Sequence, residues 1–173
     1  MFTSNFLNFL KYTFLTTASY YGGEEAIDIG MVDTSGSTAK VGNGGGNLEM
    51  LSRNVNTNRV ILNSLSIICS STEHEYAQNA YNLSDVIGNM SNTCNVNMGM
   101  DNDGNMQTIL NCTIRATSDT PVKSIGICHT FWDSSINDYR IVLLAIIPVD
   151  FTLLANANKS FVINLLSQNL IEQ

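Results

Sequence analysis

The sequence predicts one mostly β domain, an antiparallel β-sandwich or jelly-roll-like fold preceded by an N-terminal amphipathic helix. Three observations predict it. From residue 59 onward, runs rich in Ile, Val, Thr and Phe alternate with clusters of Asn, Asp, Ser and Gly. The connections between these runs are short, and no stretch after Asn92 offers a helix long enough for a parallel crossover. The first residues, in contrast, carry apolar side chains at helical spacing.

The length of 173 residues fits one domain with one core. We divide the chain into a helical arm at 1–18, a strand with a glycine-rich loop at 19–58, and the sandwich at 59–173.

The arm places five apolar residues on one face of a helix: Phe2, Phe6, Phe9, Leu10 and Phe14. A helix so rich in Phe would leave an exposed apolar patch if nothing covered it. Two alternatives stay open. The stripe packs against the rest of its own domain, or it is an interface with a neighbouring subunit, in which case removing 1–18 weakens assembly and leaves the sandwich folded.

The segment from Tyr21 to Asn47 contains eight glycines, which disfavour a sustained helix. A short alternation at Ala26–Ile29 predicts a strand, and Gly36–Gly46 is expected to be a long mobile loop. The loop lacks the Gly-Lys-Ser/Thr ending of a phosphate-binding loop. Leu48–Asn56 is predicted to form one or two helical turns.

Six later runs are predicted strands: Arg59–Cys69, Thr93–Met100, Asn105–Thr117, Val122–Trp132, Tyr139–Ile147 and Ser160–Leu166. The third alternates apolar with polar residues, as a strand with one wet face does. In the fourth, the predicted inward set is Ile125, Ile127, His129 and Phe131, opposite Lys123 and Ser124. The fifth is apolar on both faces, which places it centrally in the sheet or against another subunit.

Short turns connect the later strands. Asp103-Gly104 is the strongest hairpin signal in the chain, and 118–121 and 133–138 are two further turns. Because a parallel return needs a dozen or more residues, strands joined by these turns are predicted to be antiparallel neighbours.

The charge balance and hydropathy exclude two classes of partner. A net charge of −7 with eight Lys and Arg leaves nothing to neutralise a row of phosphates, so no nucleic-acid partner is expected. The longest uncharged apolar stretch, Ile141–Val149, has nine residues. A membrane helix needs about 20, so we expect a soluble chain. Lys11 interrupts the apolar N-terminus, which disfavours a signal peptide.

The residues that carry chemistry do not form a recognisable motif. Cys128 and His129 are neighbours on a predicted strand and so point to opposite faces. The spacing of the four cysteines and two histidines, Cys69, His74, Cys94, Cys112, Cys128 and His129, matches no zinc site. We expect reduced, mostly buried thiols, and no catalytic residue, cofactor or metal.

Acidic residues leave two weaker alternatives. Asp101, Asp103 and Asn105 match the start of a calcium loop that lacks the final Glu. The carboxylates between Glu24 and Asp33 raise the hypothesis of a hydrolase, but their separation by glycines assigns no pair.

Several stretches together resemble small virion proteins of tailed bacteriophages of the crAss-like kind. They are an early Ile-Asp-Ile-Gly strand at Ile27–Gly30 with a glycine and serine loop after it, and Thr113–Thr117, Thr120–Val122, Ile125–Ile127, Leu143–Ala145, Pro148–Val149, Asn158–Ser160 and Phe161–Ile163. The resemblance covers about residues 20–166. It implies a collar, tail, fibre or capsid-accessory subunit, made in the bacterial cytoplasm and packed into the particle.

The leading expectation is therefore a non-enzymatic, homo-oligomeric virion component that contacts other virion proteins. The alternative is a carbohydrate- or receptor-binding sandwich in which Tyr81, Trp132 and Tyr139 supply stacking faces.

Overall fold

The computed structural model describes residues 2–8, 27–41, 52–54, 59–61, 65–75, 77–88, 90–100, 102, 106–133, 136 and 138–166. Ten strands lie in these ranges: β1 Ile27–Val32, β2 Thr38–Val41, β3 Ser52–Asn54, β4 Arg59–Ile61, β5 Leu65–Ser70, β6 Met90–Met100, β7 Met106–Ala116, β8 Thr120–Asp133, β9 Asp138–Leu153 and β10 Asn158–Leu166.

Two three-stranded antiparallel sheets make up the body of the described chain. One has the strand order β5-β8-β9 and the other β10-β7-β6, while β1-β2 and β3-β4 are two-stranded hairpins. The predicted mostly β chain with antiparallel sheets is confirmed. No helix among the described residues has the length and apolar character needed to cross a membrane.

The two larger sheets share one hydrophobic core. It gathers alternate residues of β5, β7, β8 and β9, among them Ile67, Leu110, Ile114, Ile125 and Ile127, which are at most 3% exposed. The period-2 pattern predicted for β7 is confirmed, because Leu110, Cys112, Ile114 and Ala116 are buried. Burial of these alternating faces against each other is what holds the sheets together.

Hairpins β6–β7 and β8–β9 confirm two of the predicted turns. At the third turn, 118–121, the predicted antiparallel pairing was wrong, because β7 and β8 are not neighbours: the chain leaves one sheet after Ala116 and enters the other at Thr120. A short turn fixes only where the chain goes next, and here it spans the gap between the sheets. The β9–β10 connection is hydrogen-bonded to the β7–β8 connection. The Asn156 amide donates to the Ala116 carbonyl (2.9 Å), and the Ala155 amide donates to Asp119 Oδ1 (2.7 Å).

Three predictions in the first third of the chain were wrong. The expected loop at Gly36–Gly46 contains β2, which pairs with β1, although 42–46 lie outside the described residues. The expected helical turns at Leu48–Asn56 contain β3, which pairs with β4. The run Arg59–Cys69 is two strands, β4 and β5. Strands of three or four residues carry too little periodicity to be seen in sequence, and their pairing partner decides their conformation.

Strand β1 runs past the predicted Ala26–Ile29 because Gly30 lets it bulge. Gly30 has φ of +73°, and the β1–β2 register shifts between Asp28 and Met31. Glycine adopts this left-handed conformation without steric cost. The strand can therefore continue to Val32.

A bulge also explains why β9 is apolar on both faces. The register between β8 and β9 shifts between Ile127 and Cys128. Their partners on β9 are Ala145 and Leu143, so Leu144 between them is an extra residue without a partner in the β8–β9 register. Ala145 faces the shared core, whereas Leu143 and Ile146 join Cys128 and Leu83 in a second buried cluster on the outer face. Among the described strands β9 ends its sheet and β8 is the middle strand, so the first of the two predicted positions, central in the sheet, was wrong; a contact with another subunit stays a prediction.

Segment 71–88 covers that outer face of β5-β8-β9. Its Leu83 packs over Gly126, where an added Cβ would lie 2.7 Å from Leu143 Cδ1 and 3.2 Å from Leu83 Cδ1. Ser124, on the same strand, is fully buried and accepts a hydrogen bond from the His74 amide (2.8 Å). The predicted inward residues Ile125, Ile127 and His129 are buried, while the side chain of Phe131 lies outside the described part.

Candidate interaction surfaces

The outer edge of β9 is covered by the N-terminal residues. The Thr3 amide donates to the Leu144 carbonyl (2.8 Å), and Thr3 Oγ1 donates to the Leu143 carbonyl (2.7 Å). Phe2 forms an antiparallel bridge with Ala145. Backbone groups that an edge strand would leave open are thus satisfied within the chain.

Asn5 extends this cover by connecting β9 with β1. Its side chain donates to the Val32 carbonyl (2.8 Å) and accepts from the Val32 amide (2.9 Å), as a neighbouring strand would. The same Nδ2 donates to the Leu143 carbonyl (3.2 Å). Two residues further along the edge, the Thr34 amide donates to the Ile141 carbonyl (2.9 Å).

A buried ion pair fixes the β1–β2 turn against β9. Asp33 Oδ2 accepts from Arg140 Nη1 at 2.5 Å, and the two side chains are 9% and 10% exposed. Asp33 Oδ1 accepts from the amides of Ser35 and Ser37, each at 2.9 Å, and from the Ser35 hydroxyl. Burial raises the pKa of the Asp33 carboxyl, but these hydrogen bonds and Arg140 outweigh burial and hold the pKa below its ordinary value.

The predicted apolar stripe is only partly described. Residues 4–8 form one helical turn, and Phe2 lies before it. The Phe2 and Phe6 rings stack with centroids 4.0 Å apart, and Phe2 packs against the chain's own core. That contact agrees with the first of the two alternatives for Phe2. Phe9, Leu10 and Phe14 lie outside the described residues, so their role as an interface stays a prediction.

Of the three predicted stacking residues, Tyr81 and Tyr139 have exposed side chains in the described part of the chain. Tyr139 is 62% and Tyr81 45% exposed. Tyr81 lies over the β1–β2 turn, since a Cβ added at Gly36 would be 3.5 Å from its ring. The same turn bonds to Ile141, two residues from Tyr139. Trp132 is the backbone partner of Tyr139 across β8–β9, but its side chain lies outside the described part.

Strand β6 ends the other sheet and differs from β9. It has 11 residues and pairs with β7 along its whole length, from Met90↔Ala116 to Met100↔Met106. Among the described strands, none pairs with its outer side. The strand contains no Asp, Glu, Lys, Arg or Pro, and the described Asn95 side chain is exposed.

The histidines and cysteines take mainly structural positions. His74 Nε2 lies 3.3 Å from both Ser70 Oγ and Ser84 Oγ. Ser70 is fully buried and its hydroxyl donates to the Ser84 carbonyl (2.6 Å), so it is not placed to act as a nucleophile. No three Cys, His, Asp or Glu side chains in the described ranges are arranged to hold a metal ion. Asp101, Asp103 and Asn105 of the suggested calcium loop lie outside those ranges.

Asp33 was not predicted to anchor a turn, although the sequence contains a signal for one. Asp33-Thr34-Ser35-Gly36 has Asp first and Gly fourth, which is typical of a type I turn. The structure has the corresponding bond, from the Gly36 amide to the Asp33 carbonyl (2.9 Å). No comparable signal marks Asn5, because its partners lie 27 and 138 positions away.

A comparison of the chain with protein-family models, curated proteins and solved structures finds no match. Function must therefore be inferred from the surfaces of the chain itself.

Proposed function

We propose that this chain is a non-enzymatic structural subunit of a phage virion, which assembles with copies of itself and contacts other collar, tail or capsid proteins. The observation that carries the proposal is the outer edge of β6. A long edge strand without charges or proline is a template for pairing with another chain, and proteins that stay monomeric usually protect such an edge.

The edge of β9 in the same chain is an example of a protected edge. The β9 edge is occupied by Thr3, Asn5 and Thr34, whereas no described strand pairs with the outer side of β6. The contrast supports β6 as the edge reserved for a partner.

A second copy is the partner that β6 fits best. Each copy carries a net charge of −7, so two copies repel except where their surfaces are uncharged. Strand β6 carries no charged residue. Two copies of one strand can pair antiparallel with each other across a two-fold axis. The exposed Asn95 side chain carries an amide that donates and accepts hydrogen bonds without the cost of desolvating a charge.

Exposed apolar side chains elsewhere supply contacts for other virion proteins. Leu154, which directly follows β9, is 59% exposed, and Val162, within β10 of the same sheet as β6, is 63% exposed. Apolar side chains of this kind form the centre of many interfaces. We place the subunit in the particle, and we assign the two facing sheets to a β-sandwich of the jelly-roll type.

The first experiment compares Asn95→Lys with the wild type by size-exclusion chromatography with light scattering. A lysine on the exposed face of β6 places like charges together when two copies pair, so the dissociation constant is expected to rise about tenfold or more. The control Thr152→Lys adds the same charge to an exposed position on β9 and leaves assembly unchanged. A wild type that stays monomeric at all concentrations contradicts the proposal.

The virion role has its own test. Particles purified from the source virus should contain the chain in a fixed copy number relative to the major capsid protein. Its absence from purified particles, with normal expression in infected cells, would refute the virion role while leaving self-assembly standing.

The exposed tyrosines support a second candidate, a carbohydrate-binding module. Tyr81 presents its ring beside the β1–β2 turn, Tyr139 is exposed two residues from Ile141, which bonds to that turn, and Trp132 is the backbone partner of Tyr139. Flat aromatic faces stack on sugar rings. A glycan array should then show binding that Tyr139→Ala removes and Tyr12→Ala, in the arm, retains; an array without any signal eliminates this candidate.

A further inference from the structure

Two cysteines lie directly opposite each other in the β6–β7 hairpin. Cys94 on β6 is the register partner of Cys112 on β7, and their Sγ atoms are 3.5 Å apart. Both stand nine residues from Asp103, so the hairpin itself sets them together. Both are free thiols.

The two thiols differ in accessibility. Cys112 belongs to the shared core and is 2% exposed, whereas Cys94 packs against that core from the edge strand and is only partly buried. The hydrogen bond between the two sulfurs lowers the pKa of Cys94, while that bond and burial raise the pKa of Cys112. Cys94 is therefore placed to react with a small oxidant, and Cys112 to react with Cys94.

We propose that Cys94 and Cys112 are a redox-modification site, at which a peroxide converts the two thiols into a reversible disulfide that fixes the edge strand β6 to β7. The Cys94 thiolate attacks the peroxide O–O bond, which gives a sulfenic acid and releases hydroxide or an alcohol. The Cys112 sulfur then attacks the Cys94 sulfur, and the sulfenic oxygen leaves as water with the Cys112 proton. Two thiols are oxidised, one peroxide is reduced by two electrons, and with hydrogen peroxide two waters form.

Strand geometry makes this disulfide easy to reverse. Directly opposed residues of an antiparallel pair have Cβ atoms about 4.5–5.5 Å apart. A disulfide holds its Cβ atoms at about 3.8 Å, so the strands must draw together when the bond forms. Disulfides under such constraint are readily reduced by small thiols.

The other two cysteines differ from Cys94 in that both are fully buried. Cys69 is fully buried in the core, and burial raises its pKa to about 12. Cys128 is fully buried in the outer cluster under Leu83, where burial raises its pKa to about 12. Neither thiol forms the thiolate that attacks peroxide at neutral pH.

The test treats the folded full chain with hydrogen peroxide, blocks the remaining thiols in denaturant and maps the disulfide after cleavage at aspartate. This cleavage separates the cysteines, with Cys94 in 85–100, Cys112 in 103–118, Cys128 in 119–132 and Cys69 in 33–84. We expect loss of two of the four thiols, a linked pair of peptides 85–100 and 103–118, and full recovery with dithiothreitol.

Matched variants complete the test, each first shown to be folded by circular dichroism. Cys69→Ser should still form the bond, while Cys94→Ser should lose no thiol to a disulfide. If Cys94→Ser does not fold, Cys112→Ala serves in its place. The proposal is overturned by four thiols remaining in oxidised wild type, by linkage of Cys94 to Cys69, or by sulfinic acid at Cys94 in place of the disulfide.

Discussion

At the scale of single residues, burial decides what an ion pair contributes. Asp33–Arg140 and Asp150–Lys123 both bring a carboxylate oxygen within about 3 Å of a cationic nitrogen, as charge-assisted hydrogen bonds do. The side chains of the first pair are at most 10% exposed, while Asp150 is 78% and Lys123 38% exposed. Water and salt screen the second pair, whereas removing one partner of the first takes a charge-assisted hydrogen bond from a buried charge.

We expect Asp33→Asn to lower the free energy of unfolding by about 3 kcal/mol, because Arg140 then stays buried without its carboxylate. Asp150→Asn is the matched control, with an expected loss below about 1 kcal/mol. Urea unfolding of the two variants measures both values. Similar losses of unfolding free energy in the two variants would show that the buried Asp33–Arg140 pair contributes no more to stability than the exposed pair.

The same residue gives stability a dependence on pH. The pKa of Asp33 is lower in the folded chain than its ordinary value near 4. Its contribution is therefore fully present above that ordinary value and is lost as pH falls below it, through the lower folded-state pKa. The difference in unfolding free energy between wild type and Asp33→Asn should shrink from pH 5 toward about pH 2.

At the scale of elements, the two sheets treat their edges differently. Strand β9 is covered by residues 2–5 and the β1–β2 turn, and its outer face by segment 71–88. Strand β6 has no described partner on its outer side. A covered edge stabilises the subunit, and an uncovered one is available to another chain.

Asn5→Ala tests the covered edge. The substitution removes three hydrogen bonds to Val32 and Leu143, so we expect a loss of about 2 kcal/mol in unfolding free energy. Asn8→Ala removes one exposed bond to the Gly30 carbonyl and should cost below about 1 kcal/mol. Equal thermal unfolding of the two variants would mean that the N-terminal residues do not hold β9.

The elements that sequence could predict are those with their own periodicity. Strand β7 alternates over four buried residues, and Asp103-Gly104 marks its hairpin with β6. Strands β2 and β3 have four and three residues, so pairing alone defines them. The β9 bulge at Leu144 also left no local signal, since an apolar run looks the same with or without one extra residue.

At the scale of the whole molecule, strand pairs from distant parts of the chain interlock. Strand β5 pairs with β8 across the β6–β7 hairpin, and β7 pairs with β10 across β8–β9. Sequence spacing predicted strands but could not assign them to sheets, because the turn at Thr117–Asp119 is equally short for a hairpin and for a change of sheet. The candidate surfaces share this origin: Tyr81, Gly36 and Ile141 meet only in the folded chain.

The low content of charged residues, 13%, can be related to the surfaces of the two sheets. Neutral side chains such as Asn95 and Thr113 lie on β6 and β7, where a second sheet can approach without desolvating charges. The composition thus favours permanent contacts between copies of a chain that is otherwise acidic.

Amide hydrogen exchange at low and high protein concentration tests the role of β6 most directly. If copies pair through this edge, exchange in 90–100 slows as concentration rises, while exchange in 141–146 on the covered edge stays constant. Exchange in β6 that is independent of concentration, in samples shown to be oligomeric, would contradict assembly through this strand.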